Sequence, residues 1–484
     1  MRDSPTAFEE PQAEIALRDL AERAFSRAAG APLVTGNRAQ LLRDAKENYP
    51  AWTEAIRGAR RSIHFETYML HDDAIGKEFA DLFERKAREG VRIRLILDWV
   101  GVRGTRWSRM WKSLRAAGVE VRWFNPPQLD SPLSWLSRDH RKLIVVDGDV
   151  GFVSGLCIGQ DWAGYPERGI EPWRDTGLQI EGPAVAGLAQ AFALMWAAAG
   201  SPLPPEDAPS VTDRRAAVGD VALRVVAGVP NAAGLYRLDQ LIAALAREYI
   251  WLTDAYFVGT SPYVQALRAA AMDGVDVRLL VPRTSDVPLI RAMSRAGYRP
   301  LLEAGIRVFE WNGAMLHAKT AVADRKWTRV GSTNLNIASW IGNWELDVVV
   351  EDEQFSQAME DMFLEDLEHS TEIVLSPRHK VRLAAPDGRA VSRPRRRRGG
   401  GSAGRTAAGV LRIGNAVTAA ITNRRTLGPA ESVVMLYGGL LLLALSFIAA
   451  LWPWLMAIPL VVLGVWFAFA LLLRAYRLRS NKDI

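Results

Sequence analysis

The chain has 484 residues, 49% of them hydrophobic, which is enough for more than one domain with a buried core. Its single cysteine, Cys157, excludes a disulfide framework and indicates a reducing compartment. The net charge of +6 divides into +14 for the residues after Ser376 and −8 for the body, which argues against nucleic acid as a partner and favours an anionic surface for the basic tail.

The first 200 residues predict an α/β fold. Residues 1–30 indicate an amphipathic helix and lack the apolar run of a signal peptide. From residue 31 strands alternate with helices: strand SIHFETYML, helix 75–90, strand VRIRLILDWV, helix 107–118 and strand VEVRWF. This alternation is typical of α/β proteins. We place the first half at residues 31–200.

A second half repeats the first. Four prolines within residues 201–216 mark a linker, after which the same elements return over residues 217–376. EYIWLTDAYF corresponds to SIHFETYML, GVDVRLLVP to GVRIRLILD, and AGIRVFEWN to AGVEVRWFN. The sequence therefore predicts an internal duplication, whose halves we expect to pack about a pseudo-two-fold axis.

The C-terminal part differs in composition from the body. Residues 377–430 contain RPRRRRGGGSAG and predict a basic, partly disordered tether. Apolar residues at helical spacing among arginines over residues 405–425 indicate either an interfacial membrane helix or an ordinary packing helix. Residues 432–473 carry no charge, and Pro453 near their middle predicts a transmembrane helical hairpin over residues 431–474, with a pair of buried soluble helices as the alternative. Basic residues flank both ends of this run, which predicts that both ends are cytoplasmic.

One motif occurs once in each half. HRKLIVVD supplies His140, Lys142 and Asp147, and HAKTAVAD supplies His317, Lys319 and Asp324. A Gly/Ser pair follows each copy within about ten residues. LIVV and TAVA predict buried strands, and residues two apart on a strand face the same side. Each histidine is therefore expected beside its lysine. We assign all six residues of the two motifs to the catalytic site. Asp147-Gly148 also fits a hairpin turn, so a turn role is the alternative to a charge role for the aspartates.

Two histidines and two lysines fit phosphodiester exchange without a metal or other cofactor. One histidine attacks phosphorus and forms a covalent intermediate, while the other protonates the leaving alcohol. The lysines stabilise negative charge on the phosphate oxygens. The alternative is that His140 and His317 are core histidines with ordinary hydrogen bonds.

The paired motifs, with SGLCIG and GSTNLN after them, resemble the phospholipase D superfamily. ETYML, WRDTGLQIEGPAV, DAYF, AGIRVFEW and GNWELD are similar to its bacterial cardiolipin synthase branch, over residues 31–376. The resemblance implies an internally duplicated phospholipase D fold of two mixed-sheet α/β halves sharing one active site. It also implies transfer between two phosphatidylglycerol molecules, giving cardiolipin and glycerol through a phosphohistidine, at the cytoplasmic side of the bacterial inner membrane.

The resemblance also implies helper residues. Ser154, Gly155, Ser332 and Asn334 would bind the phosphate. An acid would orient each imidazole, and by position these acids are Asp175 and Glu345, although either residue also fits a surface charge. Cys157 occupies the place of an expected asparagine, and Asp175 is shorter than the usual glutamate. A phospholipase D-type hydrolase releasing phosphatidic acid, or a nuclease-type phosphodiesterase, is the alternative function. The nucleophilic histidine and the oligomeric state stay open.

A tryptophan-rich stretch suggests a route for acyl chains. Trp107, Met110, Trp111 and Leu114 lie at helical spacing, and the loop before His140 adds Leu133, Trp135 and Leu136. We expect these residues either to line an acyl-chain entrance at the membrane surface or to form a packed helix and its loop.

Overall fold

The computed structural model describes residues 21–127, 137–209, 215–375 and 381–383 and, with short gaps, 440–480. They fall into two compact units. The larger unit contains the α/β body, and the smaller one contains residues 125–138 and the C-terminal part of the chain from residue 398.

The first repeat forms seven strands. They are β1 (Val34–Arg43), β2 (Ser62–Thr67), β3 (Arg92–Asp98), β4 (Glu120–Phe124), β5 (Leu143–Val146), β6 (Val150–Ser154) and β7 (Thr176–Glu181). Their spatial order is β4-β3-β2-β5-β6-β7-β1. The pairs β2–β3 and β3–β4 are parallel, and the other pairs are antiparallel. The half is therefore a mixed sheet, as predicted.

The second repeat uses the same order. Its strands are β8 (Val221–Gly228), β9 (Tyr249–Asp254), β10 (Asp276–Pro282), β11 (Arg307–Trp311), β12 (Lys319–Ala323), β13 (Trp327–Gly331) and β14 (Glu345–Glu351), followed by β15 (Ser370–Leu375) and β16 (Val381–Leu383) at the outer edge. Their order is β11-β10-β9-β12-β13-β14-β8. Strand β1 pairs with β8 in antiparallel fashion, which joins the described strands into one sixteen-stranded sheet. The internal duplication is thus confirmed.

Helices cover the faces of this sheet. They are α1 (21–29), α2 (Asp44–Gly58), α3 (Ala74–Arg88), α4 (Arg109–Ala116), α5 (Gln160–Ala163), α6 (Val185–Ala198), α7 (Gly234–Leu245), α8 (Ser261–Met272), α9 (Pro288–Leu302) and α10 (Glu353–Glu368). One hydrophobic core crosses the β1–β8 junction, with Ile180 and Leu188 from the first repeat against Leu223 and Leu346 from the second. The halves therefore share one buried core, in addition to a separate core cluster in each half.

The tryptophan-rich stretch is mostly packed. Met110, Trp111 and Leu114 are buried, and the Trp111 indole N–H donates to the Thr105 carbonyl at 2.8 Å. An acyl-chain entrance lined by these three residues is therefore wrong, because the amphipathic helix α4 turns them into the core. Trp107 differs, since 84% of it is exposed. Leu133, Trp135 and Leu136 lie outside the described residues.

The C-terminal unit contains helix α11 (Pro453–Ser480), which begins at Pro453. Within the described residues, no helix has both the length and the apolarity needed to cross a bilayer. The predicted transmembrane hairpin is therefore not supported. Most of residues 1–30 lie outside the described residues, and residues 21–29 are helical. The predicted tether, with its possible interfacial helix, also lies outside them, except for the short strand β16.

Candidate active site

Each catalytic motif lies beside a segment of the other half. The backbone N–H of His140 donates to the Trp344 carbonyl at 2.9 Å, and the backbone N–H of His317 donates to the Arg174 carbonyl at 2.7 Å. Short parallel bridges reinforce both contacts, between Asp139 and Trp344 and between Arg174 and Leu316. The two halves thus build one site, with both motifs at its centre.

His140 is oriented by an acid of the second half. Its Nδ1 lies 3.0 Å from Glu345 Oε2 and 3.1 Å from the Ser332 carbonyl oxygen. Both neighbours accept hydrogen bonds, so Nδ1 must carry a proton. Burial lowers the pKa of His140, with Lys142 and Lys319 acting in the same direction and Glu345 opposing them. The imidazole is therefore neutral at pH 7, and its Nε2 lone pair is available for reaction.

His317 is oriented by an acid of the first half. Its Nδ1 lies 2.7 Å from Asp175 Oδ2. Burial lowers the pKa of His317 to about 4, with Lys319 adding to the effect and Asp175 opposing it. Burial alone would raise the pKa of Asp175, but the interaction with His317 outweighs it and the pKa is lowered. The pair is thus a neutral imidazole on a carboxylate. The orienting acids are exchanged between the halves, a crossing that position in the sequence does not reveal.

The two acids are supported differently. The Glu345 carboxylate accepts from the Ser332 hydroxyl at 2.6 Å, whereas the Asp175 carboxylate accepts from the Trp162 indole at 3.2 Å and from the Thr176 N–H at 2.8 Å. Gly155 makes room for Asp175, because a Cβ there would lie 2.1 Å from Asp175 Oδ1. Ser332 and Gly155 therefore act through the orienting acids in this structure.

The lysines share one electrostatic environment. Nζ of Lys142 donates to the His140 carbonyl at 2.5 Å, and Nζ of Lys319 donates to the His317 carbonyl. Burial lowers the pKa of Lys319 to about 8, and the charge of Lys142 contributes to that shift. The charges of the two ammonium groups therefore act on each other across the site. Among the described residues, no group of three His, Cys, Asp or Glu side chains is placed to hold a metal ion.

Two tyrosines that the sequence analysis did not single out also lie in the site. The Tyr68 ring centroid lies 5.4 Å from that of His140, and Nζ of Lys142 lies 5.6 Å from the Tyr68 ring. Tyr256 repeats this arrangement beside His317 and Lys319, at 5.9 and 5.8 Å. The recurrence of ETYML and DAYF after equivalent strands was the available signal.

The remaining predicted phosphate ligands are buried near the motifs. Ser154 makes one long contact, from its hydroxyl to the Leu156 carbonyl at 3.5 Å. Asn334 is 3% exposed, and its side-chain oxygen has no hydrogen-bond partner among the described residues. Cys157, at the corresponding position of the first copy, is buried, and its carbonyl accepts from the Tyr49 hydroxyl at 2.8 Å.

Asp147 and Asp324 do not reach the site. Both have positive φ, 53° and 49°, and each begins a hairpin turn at the strand end remote from the histidines. The Asp147 carboxylate accepts from the N–H groups of Arg60, Arg61 and Ser62, and Asp324 accepts from those of Arg247, Glu248 and Tyr249. Their placement as catalytic residues is therefore corrected. The four-residue strand after each lysine carries the aspartate about 13 Å away.

Fold and site together define an enzyme of the phospholipase D type, with one neutral histidine and one lysine from each repeat. A family model described as "Cardiolipin synthase, PLD-like domain" matches residues 52–163 and 239–367. Cardiolipin synthase A of Pseudomonas fluorescens strain SBW25 is 32% identical over 377 residues, 77% of either chain. Cardiolipin synthase of Halalkalibacterium halodurans is 32% identical over 361 residues, 72% of this chain and 70% of its own. The chain belongs to the cardiolipin synthase family of phospholipase D-like proteins.

A solved structure supports the fold independently of sequence. The crystal structure of phosphatidylserine synthase from Haemophilus influenzae Rd KW20 matches with a TM-score of 0.58 at 14% identity. The match covers 72% of this chain and 91% of that one. At this identity the likeness concerns the fold alone.

Proposed function

We propose that the protein is a phosphatidyltransferase that makes cardiolipin from two phosphatidylglycerol molecules and releases glycerol. The observation that carries the proposal is the pair of neutral imidazoles, each of which donates a hydrogen bond from Nδ1–H to a carboxylate of the other repeat. The relatives named cardiolipin synthase supply the substrate class.

In the first step, Nε2 of one histidine attacks the phosphorus of a phosphatidylglycerol. The bond from phosphorus to the glycerol oxygen breaks. The second histidine, which takes up a proton at Nε2 when the phosphodiester anion binds beside it, gives that proton to the glycerol oxygen. Charge builds on the phosphate oxygens, where Lys142 and Lys319 stabilise it. The order of the two histidines is not assigned, since each has an orienting acid, a neighbouring lysine and a neighbouring tyrosine.

In the second step, the now neutral second histidine takes the proton of a hydroxyl on another phosphatidylglycerol. The hydroxyl oxygen attacks the phosphohistidine, the P–N bond breaks, and the first histidine is regenerated. The product is cardiolipin. Water in place of the lipid hydroxyl would give phosphatidic acid instead, so acceptor access decides between transfer and hydrolysis.

We place the phosphate between the two motifs, where Ser154, Ser332 and Asn334 line the buried surroundings. The unpartnered side-chain oxygen of Asn334 supports this placement, because a buried polar atom without a partner is costly unless a ligand or water completes it. Asp175 and Glu345 fix the tautomers of His317 and His140.

We further propose a membrane as the partner, with the catalytic body on the cytoplasmic side. Helix α11 exposes large apolar side chains, among them Leu460, Val465, Phe469 and Leu472. Such a surface is favourably covered by lipid. Basic residues at 424–425 and 474–482, and the single cysteine of the chain, support a cytoplasmic location.

The test is mass spectrometry of lipids formed when the purified protein meets phosphatidylglycerol vesicles. Cardiolipin from the wild type and its loss in both His140→Ala and His317→Ala are expected. Phosphatidic acid without cardiolipin would replace the proposal by hydrolysis. Adding phosphatidylethanolamine to the vesicles tests whether another headgroup enters the product.

A further inference from the structure

A basic segment lies between β3 and β4. From Trp99 to Val119 the sequence contains five cations and no acid: Arg103, Arg106, Arg109, Lys112 and Arg115. The body as a whole is acidic, at −8, so this segment is a local reversal of charge. We define the basic segment as residues 99–115, which includes all but the last residue of helix α4.

Four of the five cations of this segment are exposed, and Arg106 is half-buried. Arg103, Arg109 and Lys112 are exposed, and none of the three makes an ion pair with another described residue. Unpaired cations on one side of a protein produce a local positive potential that attracts an anionic surface. The charges are thus available to a partner.

Trp107 stands among these cations. It is 84% exposed, and the guanidinium of Arg106 lies between two indoles, 4.8 Å from Trp107 and 5.3 Å from Trp99. A tryptophan with one apolar face and one polar edge is favoured at the boundary between lipid and water. An exposed tryptophan beside Arg106 and Arg109 therefore matches an anionic lipid surface.

The basic segment is attached directly to the active site. The Asp98 carboxylate accepts from the Val100 N–H at 2.8 Å and from the Asp139 N–H at 2.9 Å, so it joins the start of the segment to the residue before His140. Gly101 packs on the Tyr68 carbonyl so closely that a Cβ would lie 1.8 Å from its oxygen. Tyr68 in turn contacts His140. The segment therefore lies at the active-site end of the sheet.

Acidic residues border the segment on one side. Asp72, Asp81 and Glu84 line a surface cleft of about 540 Å³ together with Trp107 and Arg109. Two of these carboxylates have cationic neighbours, since Asp72 lies 3.9 Å from Lys77 and Glu84 lies 2.7 Å from Arg88. Of the three carboxylates, Asp81 is therefore the main source of repulsion between this cleft and an anionic surface.

We propose that the basic segment, with Trp107 at its tip, docks on anionic lipid and so presents the active-site mouth to the membrane surface. This inference rests on the proposed function for its choice of lipid. It assigns to the catalytic body itself an attachment to the membrane, independent of the C-terminal unit. The site thus meets its phosphatidylglycerol substrate at the surface that binds the enzyme.

The test uses the full chain and two matched triple variants. Arg103→Glu/Arg109→Glu/Lys112→Glu removes the segment's charge, and Lys46→Glu/Arg57→Glu/Lys326→Glu makes the same charge change at exposed positions elsewhere. Each cation near an anionic bilayer changes binding about fivefold. We expect the segment variant to need at least about tenfold more phosphatidylglycerol vesicles for half-maximal rate. The matched variant should stay near the wild type.

A soluble substrate separates docking from chemistry. Short-chain phosphatidylglycerol below its micelle concentration should be turned over equally, within about twofold, by the wild type and both variants. If the segment variant matches the control variant on vesicles, docking is refuted while the proposed function stands. If the wild type makes no product from either substrate form, the proposed function fails.

A label at position 107 reports contact directly. Trp107→Cys offers an exposed thiol, whereas the native Cys157 is 2% exposed, so a polarity-sensitive dye attaches selectively at 107. Its emission should shift to the blue on phosphatidylglycerol vesicles, with quenching by brominated lipid, and should not shift on phosphatidylcholine vesicles. A dye that stays in water during vesicle turnover, or that shifts with DNA but not with vesicles, would overturn the proposal.

Discussion

The exchange of acids between the halves makes a specific prediction for Asp175→Asn. The carboxylate at 2.7 Å from Nδ1 is the group that fixes the His317 tautomer. An amide has a similar volume but no charge, and its NH₂ group can face Nδ1 and stabilise the wrong tautomer. The change therefore acts on His317 and leaves its packing against Trp162 and Trp173 in place.

The magnitude follows from the hydrogen bond. A bond to a charged group contributes about 1.5–3 kcal/mol. At about 1.4 kcal/mol per tenfold, the rate of cardiolipin formation should fall about 10- to 150-fold. Because Asp175 raises the pKa of His317, its loss should also lower that pKa below about 4.

The assay combines turnover with NMR of protein labelled with ¹⁵N in its histidines. Asp175→Asn should alter the Nδ1 signal of His317 and leave that of His140 unchanged. Glu345→Gln should do the reverse, because its carboxylate contacts His140. If Asp175→Asn instead perturbs His140, or if turnover per folded molecule stays within about twofold, the exchanged arrangement of acids is refuted.

Three further predictions concern stability and turnover. Asp147→Asn and Asp324→Asn should each cost about 1–2 kcal/mol of unfolding free energy with turnover per folded molecule unchanged, since both carboxylates accept backbone N–H bonds far from the histidines. Burial opposes ionisation of Asp147, but hydrogen bonds from the backbone outweigh it and lower its pKa, so the stability lost in Asp147→Asn should be seen at neutral pH and disappear in acid. Lost turnover without lost stability would restore a catalytic role. Gly155→Ala should displace Asp175 and reduce turnover, whereas Gly58→Ala, with no atom near its Cβ, should not; equal effects would contradict the role of Gly155. Burial raises the pKa of Glu66 to about 7, so the folded state keeps a proton that the unfolded chain releases, and stability should fall between about pH 5 and 7 by at most about 1.4 kcal/mol per pH unit; Glu66→Gln should reduce that slope in denaturant titrations, and an unchanged slope would exclude Glu66 as its source.

The sequence predicted much of the fold because the repeat is carried by the order of the elements. SIHFETYML and EYIWLTDAYF became β2 and β9, at equivalent places in the two halves of the sheet. The spacing of each histidine and lysine also predicted their proximity, since both lie within one extended stretch. Local sequence settles such short-range geometry.

Longer-range geometry was not available from the sequence. The crossing of Asp175 to His317 depends on how β1 pairs with β8, and no local pattern encodes that pairing. The catalytic assignment of Asp147 failed because its hairpin turn and its charge give the same sequence signal. Trp111 was ambiguous for a related reason, since an apolar stripe on a helix fits a core as well as a lipid contact.

Because the pairing of β1 with β8 joins the two halves, enzymatic activity indicates that both halves have folded and associated. Each repeat brings a histidine whose partner acid arrives only when the other repeat has folded against it. A chain with only one half folded therefore lacks the acid that orients its histidine, and we expect it to be inactive. Two fragments produced by dividing the chain in the 201–216 linker should each be inactive alone and should regain turnover when they are mixed.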